Sequence, residues 1–254
     1  MSTRSSSGCL NKMRLAVVSD IHGNLRALEA VHARIKESSP DIIVNLGDCV
    51  SGPLWPEETA QYLIAENWPT VRGNHDRVLV EPPASRLEEV DAFAQQCLSQ
   101  ASLAWLSALP LTLSLAAEIL LCHGSPSDDE VFLLEEDGGD HFFLSNESQI
   151  RRKLGRTEAR LILCGHTHTP RVVHLSDGRV ALNAGSVGVQ AFPSFTVTGS
   201  PHARYAIATR KDGEWSFSLH AIGYDWAEAA GRAKAAGFAR WEHGLMTGYA
   251  AGSP

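Results

Sequence analysis

Apolar runs along this chain are short, and several of them stop abruptly at a polar residue. Leu15 to Ser19 (LAVVS) is apolar and β-branched and breaks at Asp20, which predicts a buried strand. Asn24 is placed to cap a helix whose apolar positions Leu25, Leu28, Val31 and Ile35 fall at helical spacing. Pro40-Asp41 ends the connection before a second buried strand over Ile42 to Leu46. Thr59 to Ala65 reads as helix and Thr70 to Arg72 as a short strand. Strand, helix, strand, helix, strand in this order predicts a parallel sheet with right-handed crossovers.

Further along, Pro82 to Ser107 reads as a mainly helical insertion. Leu111 to Leu115, Ile119 to Cys122 and Leu161 to Cys164 read as strands, and Phe142 to Leu154 as partly helical. Val172 to Leu175 and Val180 to Asn183 flank Asp177-Gly178, a hairpin signal, and Tyr205 to Thr209 and Trp215 to Leu219 flank Asp212-Gly213, a second one. From Asp225 the Ala-rich tail reads as helix. The second half is thus more antiparallel than the first, and the order of elements fits a mixed α/β fold with two packed sheets. Residues 1–12 read as a disordered leader, because the small-residue run before Cys9 lacks the apolar segment of a signal peptide. The remainder, 13–254, is expected to be one domain.

Composition narrows the function. With 254 residues and 44% hydrophobic content the chain can bury a sizeable core. A net charge of -7 without a Lys/Arg run excludes the usual electrostatic signature of nucleic-acid binding. No apolar run approaches the roughly eighteen residues of a membrane span. The five cysteines are scattered, odd in number and never in a C-x-x-C pair, which predicts reduced thiols in a cytoplasmic protein. Cys122 and Cys164 are expected to be small buried residues.

The polar residues at the strand ends form a pattern. The predicted strands run into Asp20 and His22, into Asp48, into Asn74-His75-Asp76, into His123, and into His166 and His168. Ligands bind beyond the carboxyl ends of strands in open α/β sheets, so strands sharing a sheet would bring these residues to one edge. Any one of them alone could be a helix cap or a hydrogen-bonded histidine; several strand ends agreeing is a stronger signal. Two carboxylates, an amide and four imidazoles besides His75 make a mixed nitrogen and oxygen donor set. Calcium and magnesium prefer all-oxygen sites, and a closed structural zinc site would use thiolates. The set is too large for one zinc and suits two transition ions, such as Mn, Fe or Zn, bridged by one carboxylate.

The blocks Asp20-Ile21-His22, Gly47-Asp48, Gly73 to Asp76, His123-Gly124 and Gly165 to His168 stand in the order of D-x-H, G-D, G-N-H-D, H and G-H-x-H. In this they resemble the calcineurin-like metallophosphoesterases, and SDIHGN and NAGSVG (Asn183 to Gly188) look most like the bacterial YfcE/YmdB-type phosphodiesterase branch. The resemblance implies a four-layer α-β-β-α sandwich. It implies that Asp20, His22 and His168 hold one divalent ion and Asn74, His123 and His166 the other, with Asp48 bridging. The ions would be manganese, or else iron, zinc or nickel. A hydroxide between them would attack phosphorus, His75 would assist the leaving group, and Asp76 would hold the tautomer of His75. A bare helix cap is an equal reading of Asp76.

One departure bears on the substrate, which is expected to be small and phosphorylated. Protein phosphatases and symmetrical dinucleoside tetraphosphatases of this family read G-D-x-V-x-R-G, whereas here Gly52 stands where that arginine would be. Arg72, Arg77 and Arg204 are the candidate replacements. Without a bidentate clamp a diester, with one charge fewer, is favoured over a monoester. Phe192 to Phe195 could stack a base but more readily pack. The alternatives are a phosphomonoesterase or dinucleoside polyphosphate hydrolase on the same site, and a non-catalytic metal-binding scaffold. Metallo-β-lactamase-like, amidohydrolase and cysteine-phosphatase spacings all fit poorly. Homo-oligomerisation is left open.

Overall fold

A strand that is apolar on both faces needs cover on both sides, and the chain supplies it by packing two sheets together between helices. The computed structural model describes residues 12–81, 87–139, 141–191 and 196–252. In chain order the first elements are β1 (Lys12–Val18), α1 (Leu25–Glu37), β2 (Ile42–Asn45), α2 (Pro56–Glu66) and α3 (Asn74–Val80). The insertion follows as α4 (Glu89–Cys97) and α5 (Gln100–Ala108). Next come β3 (Thr112–Leu115), β4 (Ile119–Cys122), β5 (Glu135–Asp137), β6 (Phe142–Leu144), α6 (Glu147–Leu154) and β7 (Leu161–Cys164). The chain closes with β8 (Arg171–His174), β9 (Val180–Asn183), β10 (Ala203–Lys211), β11 (Glu214–Ile222), α7 (Trp226–Ala235) and α8 (Ala239–Thr247).

The first sheet has the order β11-β10-β1-β2 and the second β3-β4-β7-β9-β8, with β5-β6 as a separate two-stranded ribbon. Alternate residues of one strand serve different layers. Leu15 and Val17 of β1 face the second sheet and meet Leu121, Leu163 and Leu182 in the middle of the sandwich. Ala16 and Val18 face outwards onto Leu28, Val31 and Ile35 of α1. On the far side, Ile162, Cys122 and Cys164 pack under Ile150 and Leu154 of α6. The result is the four-layer α-β-β-α sandwich, mixed parallel and antiparallel in each sheet.

Local chemistry sets most boundaries. Asn24 caps α1 by accepting the Ala27 N–H, as its position suggested. The Asp212-Gly213 hairpin has both central residues at positive φ, 53° and 86°, as a tight two-residue turn requires. Three expectations change. Lys12 already belongs to β1, so only residues 1–11 of the expected leader lie outside the described residues. Thr70 to Arg72 is not a strand: one bridge links Thr70 to Asn45, and then the Arg72 N–H turns away to the carbonyl of Pro110. The strand β5 was not foreseen, since Glu135-Glu136-Asp137 carries no apolar alternation. The aromatic stretch 192–195 lies outside the described residues.

Leu121 is fully buried in the seam between the sheets. Leu121→Ala is expected to cost about 2–5 kcal/mol of unfolding free energy, read from the urea midpoint at constant slope. A loss below about 1 kcal/mol would contradict a tightly packed seam.

Candidate metal centre

The strand ends that carry the polar residues do not share one sheet. β1 and β2 belong to the first and β4 and β7 to the second. They meet because the sandwich brings the carboxyl edges of both sheets together, and the Gly165 N–H donates to the carbonyl of His123 within one sheet while the His166 N–H crosses to Asp20 in the other. All of the residues expected to bind metal converge there. Asp20, His22 and His168 form one group that could hold a metal ion, and Asp48, His123 and His166 form another. Asn74 joins the second through its Oδ1, 3.1 Å from His123 Nε2. Asp48 stands between them: its Oδ2 is 3.6 Å from His22 Nε2 and 3.3 Å from His123 Nε2.

The loops that achieve this are conformationally costly. Asp20, His22, Asp48, His166 and His168 all have φ between 51° and 70°, a left-handed conformation that costs roughly 1–2 kcal/mol for a residue with a side chain. Cross-links between loops hold them there: Asp20 N–H donates to the Gly47 carbonyl at 3.0 Å, and His22 N–H to that of Asp48 at 2.9 Å. Two glycines are needed for close approach. A Cβ on Gly73 would lie 2.1 Å from Asp48 Oδ1, and one on Gly165 would lie 2.0 Å from Ser19 Oγ and 2.8 Å from Asp20 Oδ2.

Each imidazole is oriented by a backbone carbonyl. Nδ1 of His22, His123 and His168 donates to the carbonyls of Ser51, Leu46 and Val189 at 2.9, 2.8 and 2.9 Å, which turns Nε2 of each towards the carboxylates. His166 is held the other way round, with Nε2 at 3.0 Å from the Glu130 carbonyl. Such partners fix the tautomer of metal-binding histidines. The charges agree. Burial alone would raise Asp48, yet His123, His75 and His22 keep its carboxyl well below the usual range. Asp20 is likewise lowered against burial, chiefly by His168 and His123. Burial opposes protonation of His123, but Asp48 and Asp20 push it up to about 10, whereas burial takes His22 and His166 down to about 4. Two buried carboxylates with lone pairs aimed at the space between them fit a pair of cations with mixed nitrogen and oxygen preference.

A cavity of about 180 Å³ opens over His22, Asp48, His166 and His168, with His75 on its wall. The expected link from Asp76 to His75 is corrected. Asp76 accepts the N–H groups of Gly73 and Cys49 at 3.0 and 2.8 Å, joining the start of α3 to the Asp48 loop, and burial followed by Asp48 pushes it up to about 6. Nδ1 of His75 instead meets Oδ1 of Asp91, 2.9 Å away, and Ser51 Oγ donates to the same oxygen. Burial opposes protonation of His75, but Asp48 and Asp91 together bring it up to about 9. Asp91 was missed. Its signal was an acid on the apolar face of a helix, in line with Ala94 at i+3 and Leu98 at i+7.

None of the three candidate arginines lines the cavity. Arg77 is engaged with Asp129, Glu130 and Glu81, and Arg72 Nε lies 3.4 Å from Asp129. Arg204 is lowered by burial and packs beside Gly185. The departure at Gly52 also has a steric cause: a Cβ there would lie 2.4 Å from the His22 carbonyl oxygen and 3.2 Å from Trp241 on α8. That indole stands edge-on to His22, with ring centroids 6.3 Å apart.

Known proteins share this fold. The model of the calcineurin-like phosphoesterase superfamily domain matches residues 13–210, and the chain belongs to that family. It is 28% identical over 219 residues, 79% of this chain and 84% of the other, to the uncharacterized protein MJ0912 of Methanocaldococcus jannaschii. Its structure is similar to that of a metallophosphoesterase from Sphaerobacter thermophilus, at TM-score 0.71 and 25% identity over 93% of this chain and 99% of that one. The YfcE phosphoesterase of E. coli is a further neighbour, at TM-score 0.42 and 21% identity over 83% of this chain and 100% of that one, too distant to assign a branch.

Gly165→Ala should lower divalent-metal affinity at least tenfold by calorimetry, because the methyl group must displace Ser19 or Asp20. Unchanged affinity would show that the loop has slack there. In the unaltered protein, a divalent metal that binds this centre should, at a hundred times its dissociation constant, add about 2.7 kcal/mol of stability, reversed by chelator.

Proposed function

We propose that the chain is a metal-dependent phosphodiesterase acting on a small phosphorylated substrate. The observation that carries the reading is the placing of Asp48 between two donor groups with an imidazole, His75, beside them on the same cavity wall. Asp20, His22 and His168 would hold one divalent ion, Asn74, His123 and His166 the other, with Asp48 shared. Manganese is the proposed metal, with iron, zinc and nickel as alternatives. When bound, the ions supply Lewis acidity and the positive charge that a phosphoryl group needs in its transition state.

The chain's own residues do the rest. His75 donates a proton to the departing alkoxide, and Asp91 keeps its Nδ1 engaged so that the other ring nitrogen serves the substrate. Asp91 is therefore a positioning residue, and Asp76 supports the loop. Phosphomonoesters and dinucleoside polyphosphates are less well served, since no Lys or Arg occurs among the described residues that line the cavity. No helix among the described residues is long and apolar enough to cross a membrane. Free Cys49, Cys97, Cys122 and Cys164 suit the proposed cytoplasmic setting.

The test is hydrolysis of bis-p-nitrophenyl phosphate and of the monoester by protein stripped of metal and reloaded with Mn(II). Diester turnover should return with the metal. His75→Ala should lower kcat about 100-fold while Mn(II) affinity stays within about twofold. Tight binding of two ions without turnover of either ester, for any divalent metal, would favour a non-catalytic scaffold instead.

A further inference from the structure

The cavity over the candidate metal centre has a second wall that the sandwich does not provide. Besides the histidines and Asp48 it is lined by Phe132, just ahead of the β5-β6 ribbon, by Phe142 of β6, and by Asp137 at the end of β5. The two phenyl rings meet edge-on with centroids 4.8 Å apart, and Phe132 lies 4.7 Å from the ring of His166. Both rings are half-buried and line the cavity.

This wall is anchored. Glu135 of β5, 1% exposed, accepts hydrogen bonds from Thr167 Oγ1 and Arg171 Nε, each at 2.9 Å. Thr167 lies between His166 and His168, so the ribbon is tied to the loop that carries two candidate metal ligands. Lys153 adds bonds to the Glu135 carbonyl and to Ser145 Oγ at 2.9 and 3.0 Å. The position of the rings relative to the centre is thereby set by buried polar contacts.

The charge on this wall is also informative. Asp137 is exposed, and its Oδ1 is held by the Gly139 N–H at 2.7 Å. The guanidinium of Arg77, which does not line the cavity, is engaged with Asp129, Glu130 and Glu81. A substrate group extending from the metal centre towards the ribbon therefore meets two aromatic side chains and one carboxylate. An apolar or flat ring gains contact there, whereas a further phosphate is repelled.

Building on the phosphodiesterase reading, we infer that Phe132 and Phe142 are the seat for an aromatic alcohol of the diester, and that Asp137 discriminates against substrates with additional phosphate charge. Calorimetry on Mn(II)-loaded protein at low ionic strength tests this without relying on turnover, using diphenyl, dimethyl and phenyl phosphate as ligands. Diphenyl phosphate should bind at least tenfold more tightly than dimethyl phosphate. Phe132→Ala should remove most of that preference, with Phe132→Leu and Phe142→Ala as milder variants should the first not fold. Asp137→Asn should tighten phenyl phosphate, a dianion, by threefold or more relative to diphenyl phosphate. Equal affinities for the two diesters, no binding of either, or variants that leave the ratios unchanged would overturn the inference. Turnover of bis-p-nitrophenyl phosphate with equal affinities would leave the phosphodiesterase reading standing alone; an aromatic preference without turnover of any ester would do the opposite.

Discussion

The structure turns on two carboxylates, Asp20 and Asp48, that are buried and face the same small space. Burying a carboxylate costs several kcal/mol when no positive charge accompanies it. The fold meets this cost with hydrogen bonds from backbone N–H groups and with imidazoles. Asp20 accepts the His166 N–H, and Asp48 Oδ1 accepts the His75 N–H, which leaves Asp48 Oδ2 to the two donor groups. Asp48 and Asp20 favour the protonated form of His123, and a divalent cation held by that imidazole would take the place of its proton.

Around that requirement the molecule divides its labour. The sandwich interior is ordinary apolar packing, with Leu15, Leu121 and Leu163 filling the seam. Five of the nine non-glycine residues at positive φ among the described residues collect at one edge, and all five belong to the donor groups. Such strain persists only where surrounding bonds over-determine it. The loops of one sheet are therefore tied to those of the other, and Gly73 and Gly165 leave room for the carboxylates to approach.

The acidic balance of the chain is consistent with an anionic substrate because charge is arranged locally. Arg72 and Arg77 neutralise Asp129 and Glu130 beneath the site and hold that segment in place. Trp241, from a helix beyond the residues matched by the family, fills the room beside Gly52. Among the described residues the cavity is lined by histidines, aromatic rings and carboxylates, so on the phosphoesterase reading bound metal rather than arginine would supply the positive charge.

Much of this was legible in one dimension. Short apolar runs ending in Asp, Asn or His are a local pattern, and so are the Asn24 cap, the Asp212-Gly213 turn and the ordered blocks from Asp20 to His168. These rest on side-chain period and turn chemistry, which the neighbouring residues determine. Which strands pair, and that the site edge is built from two sheets rather than one, depends on contacts between residues far apart in sequence. The partner of His75 belongs to the same category. Asp76 is adjacent in sequence but its carboxylate is committed to the Gly73 and Cys49 N–H groups, while Asp91 is delivered from an inserted helix. The sequence alone determined the donor types, their order and the sandwich they belong to. Only the tertiary structure decided which carboxylate supports the imidazole, how two sheets share the site edge, and what lines the cavity, because each of those is a distance between separate loops.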